Sequence, residues 1–294
     1  MNEEQARFYN GAYNVNAHSL TEEENMELRR KYCPEGSKLR EAQMELFNML
    51  LVLADICRKH NIQWWLSSGT LLGAARHQGF IPWDDDVDIV MLKKDYKRLE
   101  NVLMSMQSDE YVLHSMKTDI EYINVFAKFR RKEGHDLSKD RRRNFYRWCG
   151  VFVDIFAIEK TNYAAARLSK VIYHNIQHLT SYIQAKWLRR VLIRFVQFLC
   201  LFILNPILRI VGLVNPKEEY HYVLGLGWAK STFFLKDIFP LKTAKFEGVD
   251  LPVPNDMDTY LTNVYGDWRK LPTDEQIRKS LHNPVYIKEI FGEE

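Results

Sequence analysis

The apolar residues in the first half of the chain follow a helical period before they break into shorter runs. Within residues 39–60, Leu46, Leu50, Leu53 and Cys57 are spaced four, three and four positions apart. This spacing places the four side chains on one side of a helix. The pattern therefore predicts a long helix with one buried face.

Short apolar runs after this helix predict the strands of a sheet. They are rich in aliphatic and aromatic residues, as half-buried strands require. The predicted strands are residues 62–66, 87–91, 111–114, 122–129 and 151–158. A short helix is predicted over 70–76, after a turn at 67–69, and a longer one from about 94 to 106. Together these elements predict a small α/β unit.

After Glu159 the pattern becomes helical again, first along residues 168–183 and then through an uncharged run of 14 residues, Phe195 to Leu208. A membrane span needs about 20 such residues. The run therefore predicts either a buried helix, the simpler interpretation, or a helix lying in a membrane interface. The basic residues that would meet anionic headgroups are Lys186, Arg189, Arg190 and Arg194.

The last part of the chain returns to strands, predicted around 239–241 and 246–251 with Gly248 at a turn, and then to a helix from about Asp256 to Gly266. We therefore expect an α+β fold in four parts. They are an N-terminal extension (1–37), a catalytic core whose sheet is flanked by helices (38–160), a helical insertion (161–235) and a small C-terminal α/β segment that completes the cleft (236–294).

Composition excludes several classes of protein. With 46% hydrophobic and 27% charged residues, the chain is ordinary for a globular protein and is not mainly disordered. A net charge of +3 is too small to make nucleic-acid binding the default interpretation. The cysteines lack zinc or redox spacing, and the first thirty residues do not resemble a secretory signal. We therefore expect a reduced, cytoplasmic protein, with any membrane contact peripheral and on the inner face.

An acidic run enters the second predicted strand. Because side chains alternate along a strand, Asp84, Asp86 and Asp88 are expected on one side and Asp85 on the other. Carboxylates crowded on one face repel each other, and they persist mainly where a divalent cation or a raised pKa relieves the repulsion. An isolated acidic run usually marks a solvated loop. This run alternates with apolar residues, which favours the edge of a cleft and a site for Mg²⁺ or Mn²⁺.

Asp154 is a further acidic candidate from another predicted strand. Its neighbours between residues 151 and 156 are all apolar, and an unpaired carboxylate is expensive to bury in such a setting. A metal ion or a neighbouring cation would relieve that cost. The sequence therefore predicts a metal site formed by Asp86, Asp88 and Asp154, with Asp84 as an optional further ligand.

Gly69 and Thr70 supply the elements of a phosphate site. The glycine allows close approach of the backbone, and the threonine opens a short helix whose N–H groups and positive dipole end suit an anion. Arg76 and His77 lie between this turn and the acidic run. They are candidates for neutralising further phosphate charge, although an ordinary position at a helix end fits them equally well.

These motifs resemble those of the nucleotidyltransferase superfamily and, much more closely, those of the LicD family of phosphocholine transferases, to which fukutin-related proteins are akin. The segments that carry the resemblance are Gly69–His77, Gly79–Ile89, Val153–Phe156, Phe239–Leu241 and Tyr260–Trp268. It implies an enzyme with a nucleotidyltransferase-like core that moves a phospho-alcohol, typically phosphocholine from CDP-choline, with release of CMP. The implied acceptor is a sugar hydroxyl of a surface glycan, such as lipopolysaccharide or teichoic acid, or of its lipid-linked precursor.

The resemblance also implies roles for single residues. Asp86 and Asp88 correspond to the metal-binding pair, Asp154 to the third acid, and Gly69 and Thr70 to the turn that holds phosphate. The implied reaction is an in-line displacement in which the acceptor hydroxyl attacks phosphorus and CMP leaves. Its metal cofactor would be Mg²⁺, with Mn²⁺ as an alternative.

Several points stay open at this level. The proton acceptor is either Asp154 or Asp84, with Asp154 preferred because its apolar neighbours favour a raised pKa. If the cargo is choline, its quaternary ammonium favours an aromatic partner, for which Trp83 is the candidate. Two other functions compete, namely nucleotidyl transfer to a sugar phosphate with loss of diphosphate, and a catalytically silent nucleotide- or glycan-binding subunit.

A basic segment lies between two of the predicted strands. Residues 128–147 contain nine Lys or Arg and three Asp or Glu. We expect this segment to attract an anionic partner, either the CDP-linked donor, a lipid-linked acceptor or an anionic membrane surface. It has few aromatic residues and no stacking platform, so RNA is a weaker interpretation.

Overall fold

The computed structural model describes residues 20–134, 145–213, 217–226, 231–281 and 283–292. These residues form two compact units. With the gaps just given, unit 1 comprises residues 20–90 and 236–292, and unit 2 comprises residues 91–134 and 145–235.

Two helices open unit 1, α1 (Glu22–Tyr32) and α2 (Lys38–Lys59). A capping box from Thr21 begins α1, and the Ser37 side chain caps α2. The four apolar residues whose spacing predicted a helical face are at most 3% exposed in α2. The predicted long helix and its buried face are therefore confirmed.

A short strand, a helix and a second strand follow: β1 (Trp65–Leu66), α3 (Ser68–His77) and β2 (Asp88–Leu92). β1 pairs antiparallel with β2, with Trp65 opposite Val90. The acidic run, which was predicted to enter a strand, instead lies mostly in the segment before β2, and only Asp88 belongs to the strand. Alternation along a strand therefore does not fix the sides of Asp84, Asp85 and Asp86.

Unit 2 begins with α4 (Lys93–Ser105) and contains an antiparallel sheet with the strand order β3-β4-β5-β6. Its strands are β3 (Tyr111–His114), β4 (Ala127–Arg131), β5 (Phe152–Lys160) and β6 (Tyr220–Tyr222). The predicted strands over 111–114 and 151–158 are confirmed within two residues, whereas the one predicted over 122–129 begins later, at Ala127.

The helical insertion of unit 2 consists of α5 (Tyr163–Ser181), α6 (Lys186–Leu199), a π-helical turn (Cys200–Leu204) and α7 (Asn205–Leu213). Among the described helices, the one that spans Lys186–Ile210 has the length and hydropathy to cross a membrane, and only 22% of its most apolar window is buried. The interpretation of the uncharged run as a buried core helix is therefore wrong.

The remaining elements begin with α8 (Leu235–Ile238), which leads back into unit 1. A hairpin of β7 (Lys242–Phe246) and β8 (Val249–Val253) turns at Glu247 and Gly248, which both have positive φ. The predicted helix from Asp256 to Gly266 is confirmed as α9 (Met257–Tyr265), and α10 (Asp274–Ser280) and α11 (Pro284–Phe291) follow it. No strand forms at the predicted residues 239–241. The expected α+β fold with a helical insertion is confirmed.

Candidate active site

The start of α3 holds the backbone of Asp88 in place. The Ser67 N–H donates to the Asp88 carbonyl at 3.1 Å, and the Asp88 N–H donates to Thr70 Oγ1 at 2.8 Å. Both polar backbone groups of Asp88 are thus bound by residues at the start of α3, Ser67 just before the helix and Thr70 in its first turn. The Thr70 side chain therefore braces the acidic run against this turn, a role that the sequence did not indicate.

The first turn of α3 lacks a side-chain cap from its N-cap residue. Ser67 makes no capping hydrogen bond, and its hydroxyl instead shares a hydrogen bond of 3.0 Å with the Tyr260 hydroxyl. Ser68 has a φ of 48°, in the left-handed region that non-glycine residues rarely adopt and that is often found at functional sites. A helix N-terminus of this kind suits an anion.

Gly69 allows Asp84 to approach this turn. A Cβ atom on Gly69 would lie 2.4 Å from Asp84 Oδ2, closer than any side chain tolerates. The missing side chain therefore lets the Asp84 carboxylate lie directly against the first turn of α3.

The carboxylates of the acidic run share one electrostatic environment. The pKa of Asp84 lies well above its ordinary value, first because the carboxyl group is desolvated and then because Asp86, Asp85 and Asp88 repel its negative charge. Among the described residues, no three His, Cys, Asp or Glu side chains already converge as a metal-ligand set. Crowded carboxylate oxygens are nevertheless the donors that Mg²⁺ prefers, so the chemistry of the run suits a divalent cation, and a metal site here stays a prediction.

Arg76 contributes a buried positive charge beside this run. Its Nη1 donates to the Trp268 carbonyl at 3.1 Å, and its Nε donates to His77 Nε2 at 3.0 Å. Burial lowers the pKa of Arg76 to about 10, while Tyr265 and Asp84 act in the opposite direction. The guanidinium is therefore charged at neutral pH and lies within electrostatic range of the acidic run.

His77 takes the alternative role that the sequence left open, that of a residue at a helix end. It is buried in the last turn of α3, and Nδ1 shares a hydrogen bond of 2.8 Å with Asn25 Oδ1. Burial, followed by the nearby Arg76 charge, holds its pKa well below 6.5. The neutral ring thus packs the end of α3 and brings no positive charge to a phosphate.

Tyr265 is a candidate site residue that was not predicted from the sequence. The pKa of its phenol is raised, first by desolvation of the hydroxyl group and then by Asp88, Asp84 and Asp86. Although 44% of the residue is exposed, its hydroxyl group is thus close to the carboxylates. The only signal in the sequence was the motif over 260–268, because Tyr265 lies at the end of α9, far along the chain from the acidic run.

Asp154 lies on β5 in unit 2 and has a cation beside it. Lys128 stands opposite it on β4, and the Lys128 Nζ lies 2.5 Å from Asp154 Oδ1. The same Nζ lies 3.3 Å from the centre of the Phe152 ring. The sequence predicted that either a metal ion or a neighbouring cation would relieve the cost of burying Asp154, and Lys128 is such a cation. The role of Asp154 as a metal ligand stays a prediction.

The two remaining candidates from the sequence are Trp83, which is buried, and the basic segment 128–147, which is only partly described. Trp83 is buried and packs edge-on against Tyr32, with ring centroids 5.0 Å apart. This packing favours a structural role over contact with a quaternary ammonium. Much of the basic segment, residues 135–144, lies outside the described residues.

Residues 61–188 match the family model described as "LicD/FKTN/FKRP, nucleotidyltransferase domain". The match includes α3, the acidic run and Asp154.

Similarity to curated proteins extends over more of the chain. It is 28% identical over 275 residues to the lipopolysaccharide cholinephosphotransferase LicD of Haemophilus influenzae, covering 86% of this chain and 97% of that protein. An uncharacterized protein of Rickettsia prowazekii is 30% identical over 118 residues, 34% of this chain and 43% of that protein. The human ribitol 5-phosphate transferase FKRP is 46% identical over 41 residues, 14% of this chain and 8% of that protein.

Proposed function

This chain carries a domain of the LicD family at residues 61–188, and we propose that it transfers a phospho-alcohol from a CDP-linked donor to a sugar hydroxyl of lipopolysaccharide or its lipid-linked precursor. CMP is the proposed leaving group, and the cytoplasm is the proposed compartment. Phosphocholine is the first proposed cargo, because the similarity to the Haemophilus cholinephosphotransferase spans 97% of that protein.

One structural observation supports this proposal in addition to the sequence similarity. Asp84 lies against Gly69 in the first turn of α3 and shares its electrostatic environment with Asp86 and Asp88. Backbone N–H groups that suit an anion and carboxylates that suit a divalent cation are thus neighbours within unit 1. A nucleoside diphosphate donor needs both kinds of group.

The proposed metal ion is Mg²⁺, with Mn²⁺ as an alternative, held by Asp86 and Asp88 with Asp154 as the third predicted ligand and Asp84 as an optional one. When bound, it would neutralise charge on the transferred phosphate and on the departing CMP. The protein's own contribution begins with these carboxylates, which must be ionised to bind.

The other side chains of the site position the donor. We propose that the N–H groups of Gly69 and Thr70 bind a phosphate oxygen, and that the Arg76 guanidinium adds positive charge nearby. The acceptor hydroxyl then attacks the phosphorus that carries the alcohol, and the bond from that phosphorus to the CMP oxygen breaks. The hydroxyl proton passes to a carboxylate, either Asp84 or Asp154.

Release of CMP tests the proposal directly. The purified chain is incubated with Mg²⁺, a lipid-linked glycan extract and CDP-choline, CDP-ethanolamine or CDP-ribitol, and CMP and diphosphate are quantified. We expect CMP release with one donor, strongest with CDP-choline, and no diphosphate. A parallel incubation contains CTP and a sugar phosphate in place of the CDP-alcohol, and release of diphosphate there would instead favour nucleotidyl transfer. Donor binding without turnover would favour a silent binding subunit.

Replacing Tyr265 with Phe is expected to lower kcat/KM for the CDP-alcohol about tenfold, which corresponds to the loss of one hydrogen bond worth about 1.4 kcal/mol. The phenol lies within electrostatic range of Asp84, Asp86 and Asp88, so we propose that its hydroxyl group positions the donor. The change is therefore expected mainly in KM, with the thermal stability unchanged.

Tyr163→Phe is the matched control, because Tyr163 has a similar exposure of 48% and lies in unit 2. It should leave kcat/KM unchanged. Equal kinetics for Tyr265→Phe and the wild type would contradict a positioning role for the hydroxyl.

A further inference from the structure

Helices α6 and α7, with the π-helical turn between them, have polar residues on the side that faces the rest of unit 2. Arg189 is buried, and its Nε lies 2.8 Å from Glu121 Oε2. Asn205 is buried as well, and its Nδ2 donates to the Tyr173 hydroxyl at 3.2 Å. Gln197 is a third buried polar residue on this side. The inner side of the helices is thus fixed to unit 2 partly through polar contacts.

The opposite side, here called the outer side, carries large apolar side chains. Val191, Phe195, Phe198 and Phe202 follow one another at helical spacing, and each is between 55% and 69% exposed. Further exposed apolar residues of these helices are Trp187, Leu188, Leu199, Leu201, Ile203, Ile207 and Ile210. A helix on the surface of a protein in water normally has the reverse arrangement, with the apolar side inward. So large an apolar surface indicates a binding site for an apolar partner.

The charge around this surface indicates what kind of partner it is. Between Glu159 and Glu218 the sequence contains nine Lys or Arg and no Asp or Glu. Exposed members of this set in α6 are Lys186, Arg190 and Arg194. Arg190 also pairs with Glu121, with Nε 2.9 Å from Oε1. A second copy of the chain would bring the same positive charges to the interface and no negative ones from this segment, so it is electrostatically unfavourable. An anionic bilayer supplies both apolar chains and negative headgroups.

The length of the apolar run determines how the helices would lie. The uncharged residues from Phe195 to Leu208 number 14, about 21 Å of helix, whereas the hydrocarbon core of a bilayer is about 30 Å thick. The inner side of the helices is also covered by the rest of unit 2. Only one side is therefore open to lipid, which favours a helix that lies in the plane of the interface.

We propose that the outer side of α6 and α7 is a docking surface for an anionic lipid bilayer. Phe195, Phe198 and Phe202 enter the acyl region, and the exposed basic residues of α6, Lys186, Arg190 and Arg194, bind headgroup phosphates. This inference goes beyond the transfer reaction and does not depend on it, since a chain without activity would bind the same membrane.

Vesicle flotation of the full chain tests this surface. The vesicles contain either phosphatidylcholine alone or phosphatidylcholine with about one third phosphatidylglycerol. We expect the chain to float with the anionic vesicles and to bind them at least about tenfold more tightly than the neutral ones, a preference that salt weakens. A chain that stays at the bottom of the gradient with anionic vesicles overturns the proposal.

Matched variants identify the surface. Phe195→Gln combined with Phe202→Gln is expected to lower the vesicle partition coefficient at least about tenfold, because two exposed aromatic rings no longer enter the acyl region. The helical content should not change, since neither ring is buried. The control replaces two exposed apolar residues outside the surface, Met26→Gln and Met104→Gln, and should bind as the wild type does.

Two results would overturn this assignment. One is an equal loss of vesicle binding in the Met26 and Met104 control, which would mean that binding does not depend specifically on the outer side. The other is a dimer in solution that dissociates in the Phe195 and Phe202 variant and does not bind vesicles, which would identify a second copy as the partner.

Discussion

Replacing Asp88 with Asn is expected to lower the rate of CMP release by a factor on the order of a hundred to a thousand, the size typical for removing one group that stabilises developing charge. Asn keeps the shape of Asp88 but removes the negative charge that a cation needs. The fold should persist, because the contacts to Ser67 and Thr70 are made by the Asp88 backbone. Asp86→Asn should act in the same direction.

Metal binding provides a second measurement that does not depend on turnover. If Asp86 and Asp88 bind Mg²⁺, the melting temperature of the wild type should rise with added MgCl₂, and this rise should shrink in Asp88→Asn. Without metal, Asp88→Asn should be as stable as the wild type or more stable, because Asp88 adds to the repulsion acting on Asp84.

The control for this change is Asp250→Asn. Asp250 is an exposed carboxylate of the β7-β8 hairpin, paired with Lys245 at 2.9 Å, and its replacement should leave both the rate and the effect of MgCl₂ unchanged. Full metal-dependent turnover in Asp88→Asn would show that the acidic run is not the active site.

The elements that could be predicted are those in which a local pattern determines the answer. In α2, the spacing of Leu46, Leu50, Leu53 and Cys57 decides which face is buried, whatever packs against it. The helix after Gly69 could be predicted for a similar reason, since its turn and its apolar residues are neighbours in the chain.

The helical insertion shows the limit of this reasoning. Periodicity finds the two faces of α5 but does not say which is buried. Leu168 and Leu179 of the apolar face are exposed, whereas Ser169 and Tyr173 of the neighbouring face are buried. The choice depends on partners that are distant in sequence, as Asn205 is for Tyr173.

Contacts between candidate-site residues that are far apart in the sequence could not be predicted either. Lys128 is opposite Asp154 only because of the register between β4 and β5, which a single sequence does not specify. Tyr265 reaches the acidic run only through the packing of α9 in unit 1. The acidic run was predicted to alternate along a strand, but only Asp88 belongs to β2, and the backbone of Asp88 is bound by residues at the start of α3.

Glu247→Gln is expected to lower the free energy of unfolding by about 3 kcal/mol, the size typical for removing one partner of a buried ion pair. The Glu247 carboxylate is buried, with Oε2 2.7 Å from Arg40 Nη2 and Oε1 3.3 Å from Arg29 Nη2. Oε1 also accepts the Phe80 N–H at 3.1 Å. Glu247 thus connects α1, α2 and the segment after α3 to the β7-β8 hairpin, and Gln would leave the buried Arg40 charge without its carboxylate.

The pH dependence of this loss follows from the pKa of Glu247. Burial alone would raise the pKa, but Arg40, then Arg29 and the Phe80 N–H, outweigh it and hold it below the ordinary value of 4.5. A carboxyl group whose pKa is lower in the folded state stabilises the fold above its unfolded-state pKa, and this contribution is lost as the pH falls through the folded-state pKa. Urea unfolding should therefore show a constant gap between wild type and Glu247→Gln at neutral pH, and the gap should close below about pH 4.

A double-mutant cycle distinguishes the charge pair from the shape of the side chain. If the pair is responsible, Arg40→Gln should destabilise the fold as well, and the double variant should be less destabilised than the two single changes added together. Asp250→Asn, which removes an exposed partner of the same hairpin, should change the free energy of unfolding by no more than about 0.5 kcal/mol. Additive effects of Glu247→Gln and Arg40→Gln, or a gap that widens as the pH falls, would contradict the role assigned to this ion pair.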